Sequence, residues 1–308
     1  VVEVDGHRDT LHHTMSVKRT FEVLAPAPRD PADPGRPTIF GATDVGLVRS
    51  NNEDQFLVAQ LERALVLEQS GFPITPGQRL LDKPGWLLMV ADGMGGHDAG
   101  ELASSLVIDA MAHYAFTVMP WLGTHTRADS AVVAAGLRGA AEGAQQRLRE
   151  VALRKGLSTE LGTTLTMAYI RWPECLLVHI GDSRAYLLRS NELFRLTKDH
   201  NLAQSMVQRG VMTDDEARRS RFSSVLTNAL GGTSDDLHVE LHHFELLTGD
   251  RLLLCTDGLY GELGDAQIAS TLGSCIRPDL APLCVDSLIE RAKREGGQDN
   301  VTAILAVF

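Results

Sequence analysis

The sequence predicts an α+β fold: a four-layer α-β-β-α sandwich, with two mainly antiparallel sheets flanked by helix pairs. Two observations and one rule of packing predict it. Apolar runs of strand length recur along most of the chain. Stretches of helix length come in two pairs, one after the early strands and one before the last strand. A sheet with an apolar face must bury it, so two sheets packed face to face, each covered outside by a helix pair, is the simplest arrangement. Only the order of the elements is legible at this stage, not the order of strands in each sheet.

Taken in order, residues 1–25 carry His7, His12 and His13 with little periodicity and read as a flexible extension. Residues 25–37 (APAPRDPADPGRP) form a Pro-rich linker that can continue neither a helix nor a central strand. Residues 1–37 are thus an N-terminal extension, and the folded domain begins at Thr38. Short strands are expected at 38–43 and 55–60, around a Gly- and Asn-rich turn. Residues 61–85, with Gly71, Pro73, Pro76, Gly77, Pro84 and Gly85, read as an irregular insertion. Residues 86–91 (WLLMVA) are apolar without alternation, the mark of a strand buried on both faces. Helices follow at 99–118, with Leu102, Leu106, Ile108, Ala110 and Met111 as an apolar face, and at 128–154, rich in Ala, Leu, Gln, Arg and Glu.

The pattern then turns to strands at 163–170, 176–180, 185–189 and 193–196. Residues 199–232 are polar, with short helical pieces at 202–209 and 214–219, and read as a mobile subdomain inserted between strands. A half-exposed strand at 237–246, a buried strand at 251–255, helices at 265–272 and 278–294, and a closing strand at 301–308 complete the chain.

Composition narrows the function. The net charge of −11 argues against a nucleic-acid binder with a broad basic face. Cys175, Cys255, Cys275 and Cys284 form no CxxC pair and read as buried reduced thiols, an expectation that places the protein in the cytoplasm. No apolar run approaches the ~20 residues of a membrane-spanning helix.

The chemistry lies in four short acidic stretches: Glu53-Asp54, Asp92-Gly93, Asp257-Gly258 and Asp299-Asn300. Three abut buried-looking strands (WLLMVADG, RLLLCTDG and QDNVTAILAVF). Carboxylates are costly to bury without a positive partner, so a set of them at strand ends is most simply a hard-cation site assembled by folding. If the set forms one site, residues 38–308 are one domain. Asp92 and the Gly93 carbonyl suit Mg²⁺ or Mn²⁺, although an Asp before Gly also serves as a turn or helix-cap residue. Asn300 can orient a carboxylate, and Asp182 sits in a tight turn where Asp-Ser is an ordinary hairpin pair. Arg49 offers a planar fork for phosphate oxygens, or a salt bridge to Glu53 or Asp54. His97 can act as a proton donor near neutral pH, as a metal ligand, or as a surface side chain.

Together and in order, RSNNED, VADGMGGHDAGE, GDSRAYL, CTDGLY and GGQDNVT resemble the PPM family of metal-dependent protein serine/threonine phosphatases (type 2C), in its bacterial branch. The resemblance spans residues 38–308. It implies a phosphoric monoester hydrolase acting on phosphoserine and phosphothreonine by direct attack of a metal-bridging water or hydroxide. It implies two Mg²⁺ or Mn²⁺ ions bridged by Asp92, with Asp257 and Asp299 on one and the Gly93 carbonyl on the other. Glu53 would act through coordinated water, with Asp54 and Asn300 supporting the ligands, and Asp182 would share a third, weaker ion with Asp257. Arg49 would bind phosphate, His97 would be the general acid, and residues 199–232 would form a flap beside the site. The implied partners are phosphoproteins of a bacterial serine/threonine kinase or its substrates, met by a monomer without nucleic acid or membrane segment. A phosphoprotein-binding pseudoenzyme would need a lost ligand, and every expected ligand is present. The metal and arginine chemistry alone also suits a small-molecule phosphohydrolase, whereas a Ca²⁺ module would need an EF-hand loop that the sequence lacks.

Overall fold

The computed structural model describes residues 36–308 apart from 63, 68, 70–77, 82–83, 97, 118–126, 159–160, 214–215, 218–219 and 233–235. The described chain falls in one compact unit, Pro34–Phe308. The expected extension over 1–37 lies almost wholly outside the described residues, as do Asp214, Asp215, Arg218 and Arg219 of the expected 214–219 helix.

The strands are β1 (Thr38–Asp44), β2 (Asp54–Leu61), β3 (Ala64–Leu67), β4 (Gln78–Leu81), β5 (Gly85–Met94), β6 (Gly162–Thr163), β7 (Leu165–Arg171), β8 (Glu174–Ile180), β9 (Arg184–Arg189), β10 (Glu192–Arg195), β11 (Leu230–Gly231), β12 (Glu240–Glu245), β13 (Arg251–Cys255) and β14 (Val301–Val307). The helices are α1 (Asp98–Thr117), α2 (Arg127–Lys155), α3 (Leu202–Gln208), α4 (Asp257–Tyr260), α5 (Asp265–Ser274) and α6 (Ala281–Glu295).

One sheet has the order β1-β14-β13-β9-β10; the other runs β11-β6-β5-β7-β8-β12, with β2 on the free side of β5. All these pairings are antiparallel. Side-chain alternation builds three apolar layers from them. On β5, Trp86, Leu88 and Val90 face the other sheet, where they meet Leu252 and Leu254 of β13 and Ile304 and Ala306 of β14. Leu87, Met89 and Ala91, one residue out of phase, pack with Val107 and Met111 of α1 and Leu137 and Leu148 of α2. Leu253 and Cys255 of β13 and Ala303 and Leu305 of β14 pack under α5 and α6. A central strand with cores on both faces cannot alternate apolar and polar residues, which is why 86–91 is apolar throughout. The four-layer sandwich is therefore as expected.

α6 shows the local logic of the outer layers. Ala281, Cys284, Val285, Leu288, Ile289 and Ala292 recur at helical spacing and are buried, while Lys293 and Arg294 favour the negative end of the helix dipole.

Three expectations need correction. Residues 61–85 are not wholly irregular: β3 and β4 pair antiparallel, Ala64 opposite Leu81 and Leu67 opposite Gln78. Runs of four residues are too short to stand out among surrounding Gly and Pro. The strand expected at 86–91 runs on to Met94, because β6 pairs with Gly93 and Met94, so Asp92 lies within the strand. The strand expected at 163–170 is broken at Thr164, whose backbone N–H turns to the Asp92 carbonyl.

Candidate active site

β2 and β5 run side by side with Asp54 opposite Asp92. The Asp92 backbone is clamped from the break between β6 and β7: its N–H donates to Thr164 Oγ1 (2.9 Å), and its carbonyl accepts from Thr163 Oγ1 (2.8 Å) and the Thr164 N–H (2.9 Å). Thr164 Oγ1 in turn lies 2.7 Å from Ser183 Oγ, beside Asp182 in the β8–β9 turn. Gly93 is required here by close approach. A Cβ on it would stand 2.2 Å from the Gly100 carbonyl oxygen and 2.7 Å from that of Glu53.

Across the sandwich, Asp257 opens α4 directly after β13, so the expected strand–turn is in fact the first turn of a short helix. Asp299 ends the loop before β14. Gly46 (φ +79°) lets the β1–β2 loop lie against that loop, since a Cβ would come within 2.2 Å of the Asp299 carbonyl oxygen. Asn300 locks the contact. Its Nδ2 donates to the carbonyls of Val45 (3.0 Å) and Asn51 (2.9 Å), and its Oδ1 accepts from the Glu53 N–H (2.8 Å). Asn300 thus orients the loop carrying Glu53 with its side chain, while its backbone N–H donates to Asp299 Oδ1 (2.8 Å).

Arg49, Glu53, Asp92, Gly93, Asp182, Asp257, Asp299 and Asn300 line one cleft of about 850 Å³, whose wall also includes residues 224–229. Arg49 donates through an Nη to Asp299 Oδ2 at 2.7 Å; its ion-pair partner is therefore Asp299, not Glu53 or Asp54. Asp54 does not line the cleft. It is buried behind it, where Oδ2 accepts from Thr256 Oγ1 (2.7 Å) and Thr302 Oγ1 (2.6 Å). His97 lies outside the described residues.

The charge is unbalanced. Burial raises the Asp92 carboxyl well above its ordinary range, and the charges of Asp54, Asp257, Asp182 and Asp299 add to it. Burial, then Asp257 and Asp199, does the same to Asp182, against the pull of Arg184. Asp257 is pushed up to about 6 by burial and by Asp299, despite a hydrogen bond with Asp92 and the charge of Arg49. Asp257 Oδ1 is buried with no hydrogen-bond partner among the described residues. An orphaned acceptor amid clustered carboxyls, all oxygen donors, fits a hard divalent cation.

Several structural partners carry little signal in the sequence. Thr163, Thr164, Thr256 and Thr302 hold the acids by backbone and hydroxyl contacts, and threonine in a strand reads as ordinary β-former. Arg184, within GDSRAYL, is buried in a bidentate pair with Asp199 (2.8 and 2.6 Å) and stacks over Tyr260, whose hydroxyl donates to the Asp182 carbonyl (2.9 Å). A charged residue inside an apolar strand was the available clue.

A two-sheet antiparallel sandwich with an acidic cleft opening between the ends of its central strands defines a fold class, and the sequence comparisons name it. The model of the family "Protein phosphatase 2C" matches residues 80–306. The chain belongs to this family. It is 36% identical over 269 residues to the serine/threonine protein phosphatase PstP of Mycobacterium tuberculosis, a match covering 86% of this chain and 43% of that protein. It thus spans less than half the length of that relative. It is 30% identical over 222 residues to the serine/threonine phosphatase stp of Listeria monocytogenes, covering 71% of this chain and 83% of the relative. Among solved structures, the catalytic domain of PstP in complex with two manganese ions superimposes with a TM-score of 0.64 at 35% identity, covering 87% of this chain and 96% of that one.

Proposed function

We propose that the chain is a metal-dependent phosphoprotein phosphatase that hydrolyses phosphoserine and phosphothreonine. The observation that carries this is the convergence of Asp92, Asp182, Asp257 and Asp299 on one cleft that also holds Arg49. Family membership and the phosphatase names of its relatives support it. On this reading residues 38–308 are the catalytic domain and 199–232 its flap. Asp92 would serve both of two Mg²⁺ or Mn²⁺ ions, with Asp257 and Asp299 holding one and the Gly93 carbonyl the other. Asp182 and Asp257 would hold a third, weaker ion, and Glu53 would contribute through water. When bound, such ions lower the pKa of water to make a nucleophile and screen charge on phosphoryl oxygens.

The chain's own residues do the rest. Arg49 exchanges Asp299 for a phosphate oxygen and orients the ester for in-line attack. His97 gives a proton to the departing serine or threonine oxygen. Asn300 and Thr164 keep the acids from drifting. All four cysteines are buried, and burial pushes the Cys175 and Cys255 thiols far above their ordinary range, so none serves as a nucleophile. The expected partners are phosphoproteins of bacterial kinase signalling, acted on by a monomer. No helix among the described residues is long and apolar enough to cross a membrane.

The test is Mn²⁺-dependent release of phosphate from a phosphothreonine peptide, with a small phosphomonoester as control. Asp92→Asn is expected to lower turnover by about 10³-fold or more with the circular dichroism spectrum unchanged. Turnover that survives in that variant or in EDTA overturns the reading. Activity confined to the small ester moves the substrate class to small molecules.

A further inference from the structure

Beside the cleft, His179, His200 and Glu240 offer ligand atoms within 4.8 Å of one another. The direction of their hydrogen bonds excludes an ion there. The Gly181 N–H can only donate, and it reaches His200 Nδ1 at 3.1 Å. Asn228 Nδ2 donates to the same nitrogen at 2.8 Å. That amide cannot be turned round, because its Oδ1 accepts from the His238 N–H (3.0 Å) while Nδ2 also meets the His238 carbonyl (2.8 Å). His200 Nδ1 is therefore an acceptor, and its proton sits on Nε2, facing Glu240 Oε2 at 3.4 Å. His179 Nε2 faces the Lys198 carbonyl at 2.9 Å, so it too must carry a proton. Both nitrogens that would bind a metal are committed as donors. The cluster is a hydrogen-bonded joint.

What it joins is the cleft. The His200 N–H donates to the Gly181 carbonyl (2.7 Å), and its carbonyl accepts from the Thr227 N–H (2.8 Å). Ring and backbone together therefore make two bonds to Gly181, the neighbour of Asp182, and two to Thr227 and Asn228, which line the cleft. Beyond His200 the two ends of segment 199–232 zip together. Asn201 bridges Leu226, the Leu202 N–H donates to the Val225 carbonyl (2.9 Å), and the Ala203 N–H donates to that of Phe222 (3.2 Å). The His200 ring is held in place between those of His179 and His238, with centroids 4.8 and 5.3 Å away.

We infer that His200 is a positioning residue that clamps segment 199–232 to the Gly181–Asp182 turn, so that the cleft wall at 224–229 and Asp182 keep their spacing as one unit. Displacing the wall then displaces Asp182, and the wall is rigid only while the clamp holds.

Amide hydrogen exchange on the full chain tests this without metal or substrate. His200→Ala is expected to speed exchange about tenfold or more at both Gly181 and Thr227. The two sites differ in what they report. The Gly181 N–H loses its acceptor, whereas the Thr227 N–H keeps the residue-200 carbonyl and exchanges faster only if the ribbon loosens. Faster exchange at Gly181 alone, or at neither, overturns the clamp. Should His200→Ala not fold, Asn228→Ala removes one donor to the ring and leaves the His200 backbone intact; it must still speed exchange at both sites, and no change overturns the inference. A second arm rests on Asp182 as an ion ligand. His200→Ala is expected to raise the Mn²⁺ concentration for half-maximal activity about fivefold in the wild-type background and not at all in Asp182→Asn. Equal shifts in both backgrounds overturn the link to Asp182. Failure of the phosphatase reading would appear as absent turnover in the wild type, with the exchange result unaffected.

Discussion

Two aspartates opposite each other in the same ladder do different work. Asp54 accepts two threonine hydroxyls in the buried layer behind the cleft; Asp92 lines the cleft together with Asp257. The sequence marked both as acids near a strand but could not separate them, because paired residues share one face of the sheet and only the partners that the other sheet brings to each tell them apart. Arg49 and Asp299, 250 positions apart, could be nominated from their types, while their 2.7 Å contact belongs to the fold. At this scale His97 carries its own prediction. If it protonates the leaving oxygen, His97→Ala should lose more turnover on an alkyl phosphate than on p-nitrophenyl phosphate, by about 10²-fold, since a phenolate leaves without much acid help. Steady-state kinetics on the two esters check this, and equal losses give His97 another task.

Among the elements, the long and strongly patterned ones were legible. β5, β13, β14 and α6 owe their form to apolar periodicity, and that is written in the residues themselves. The short ones were not: β3, β4, β6, β11 and α4 have two to four residues each, and partners distant in sequence rather than local preference decide them. The buried Arg184–Asp199 pair shows how such pieces are secured, for it ties β9 to the segment that leads into α3. Arg184→Leu leaves a buried carboxylate without its bidentate partner and should cost about 3–5 kcal/mol in urea unfolding. The loss should fall toward the lower figure because Arg195 Nη1 stands 4.0 Å from Asp199 and gives partial compensation. Replacing both residues by Leu should recover much of that loss.

For the molecule as a whole, the acidic cleft links stability to pH and to cations. Burial and Asp299 raise the folded pKa of Asp257 from 3.8 to about 6, and Asp92 and Asp182 shift in the same direction. The native state then binds more protons than the unfolded chain across that window. Stability from these groups is complete below the unfolded value and is lost as pH rises through about 6. In EDTA the melting temperature should therefore fall between pH 5 and pH 7.5 for the part owed to the cleft. Saturating Mn²⁺ should raise it more at pH 7.5 than at pH 5, because the cation competes with those protons. Calorimetry at the two pH values, with Asp92→Asn as the control that removes one raised carboxyl, measures the difference. A metal-induced shift equal at both pH values and unaltered in Asp92→Asn would place the cation elsewhere.

From residues alone came the four layers, the strands buried on both faces, the identity of the acids and the resemblance to a phosphatase family, because periodicity and local motif are properties of neighbours along the chain. Tertiary structure decided which acids share the cleft and which lie behind it, which partner Arg49 takes, and how Asn300, Thr164 and His200 hold the parts in place. Those contacts join positions from 19 to 250 residues apart, and their geometry exists only once the sheets have packed and the register of each strand has been set.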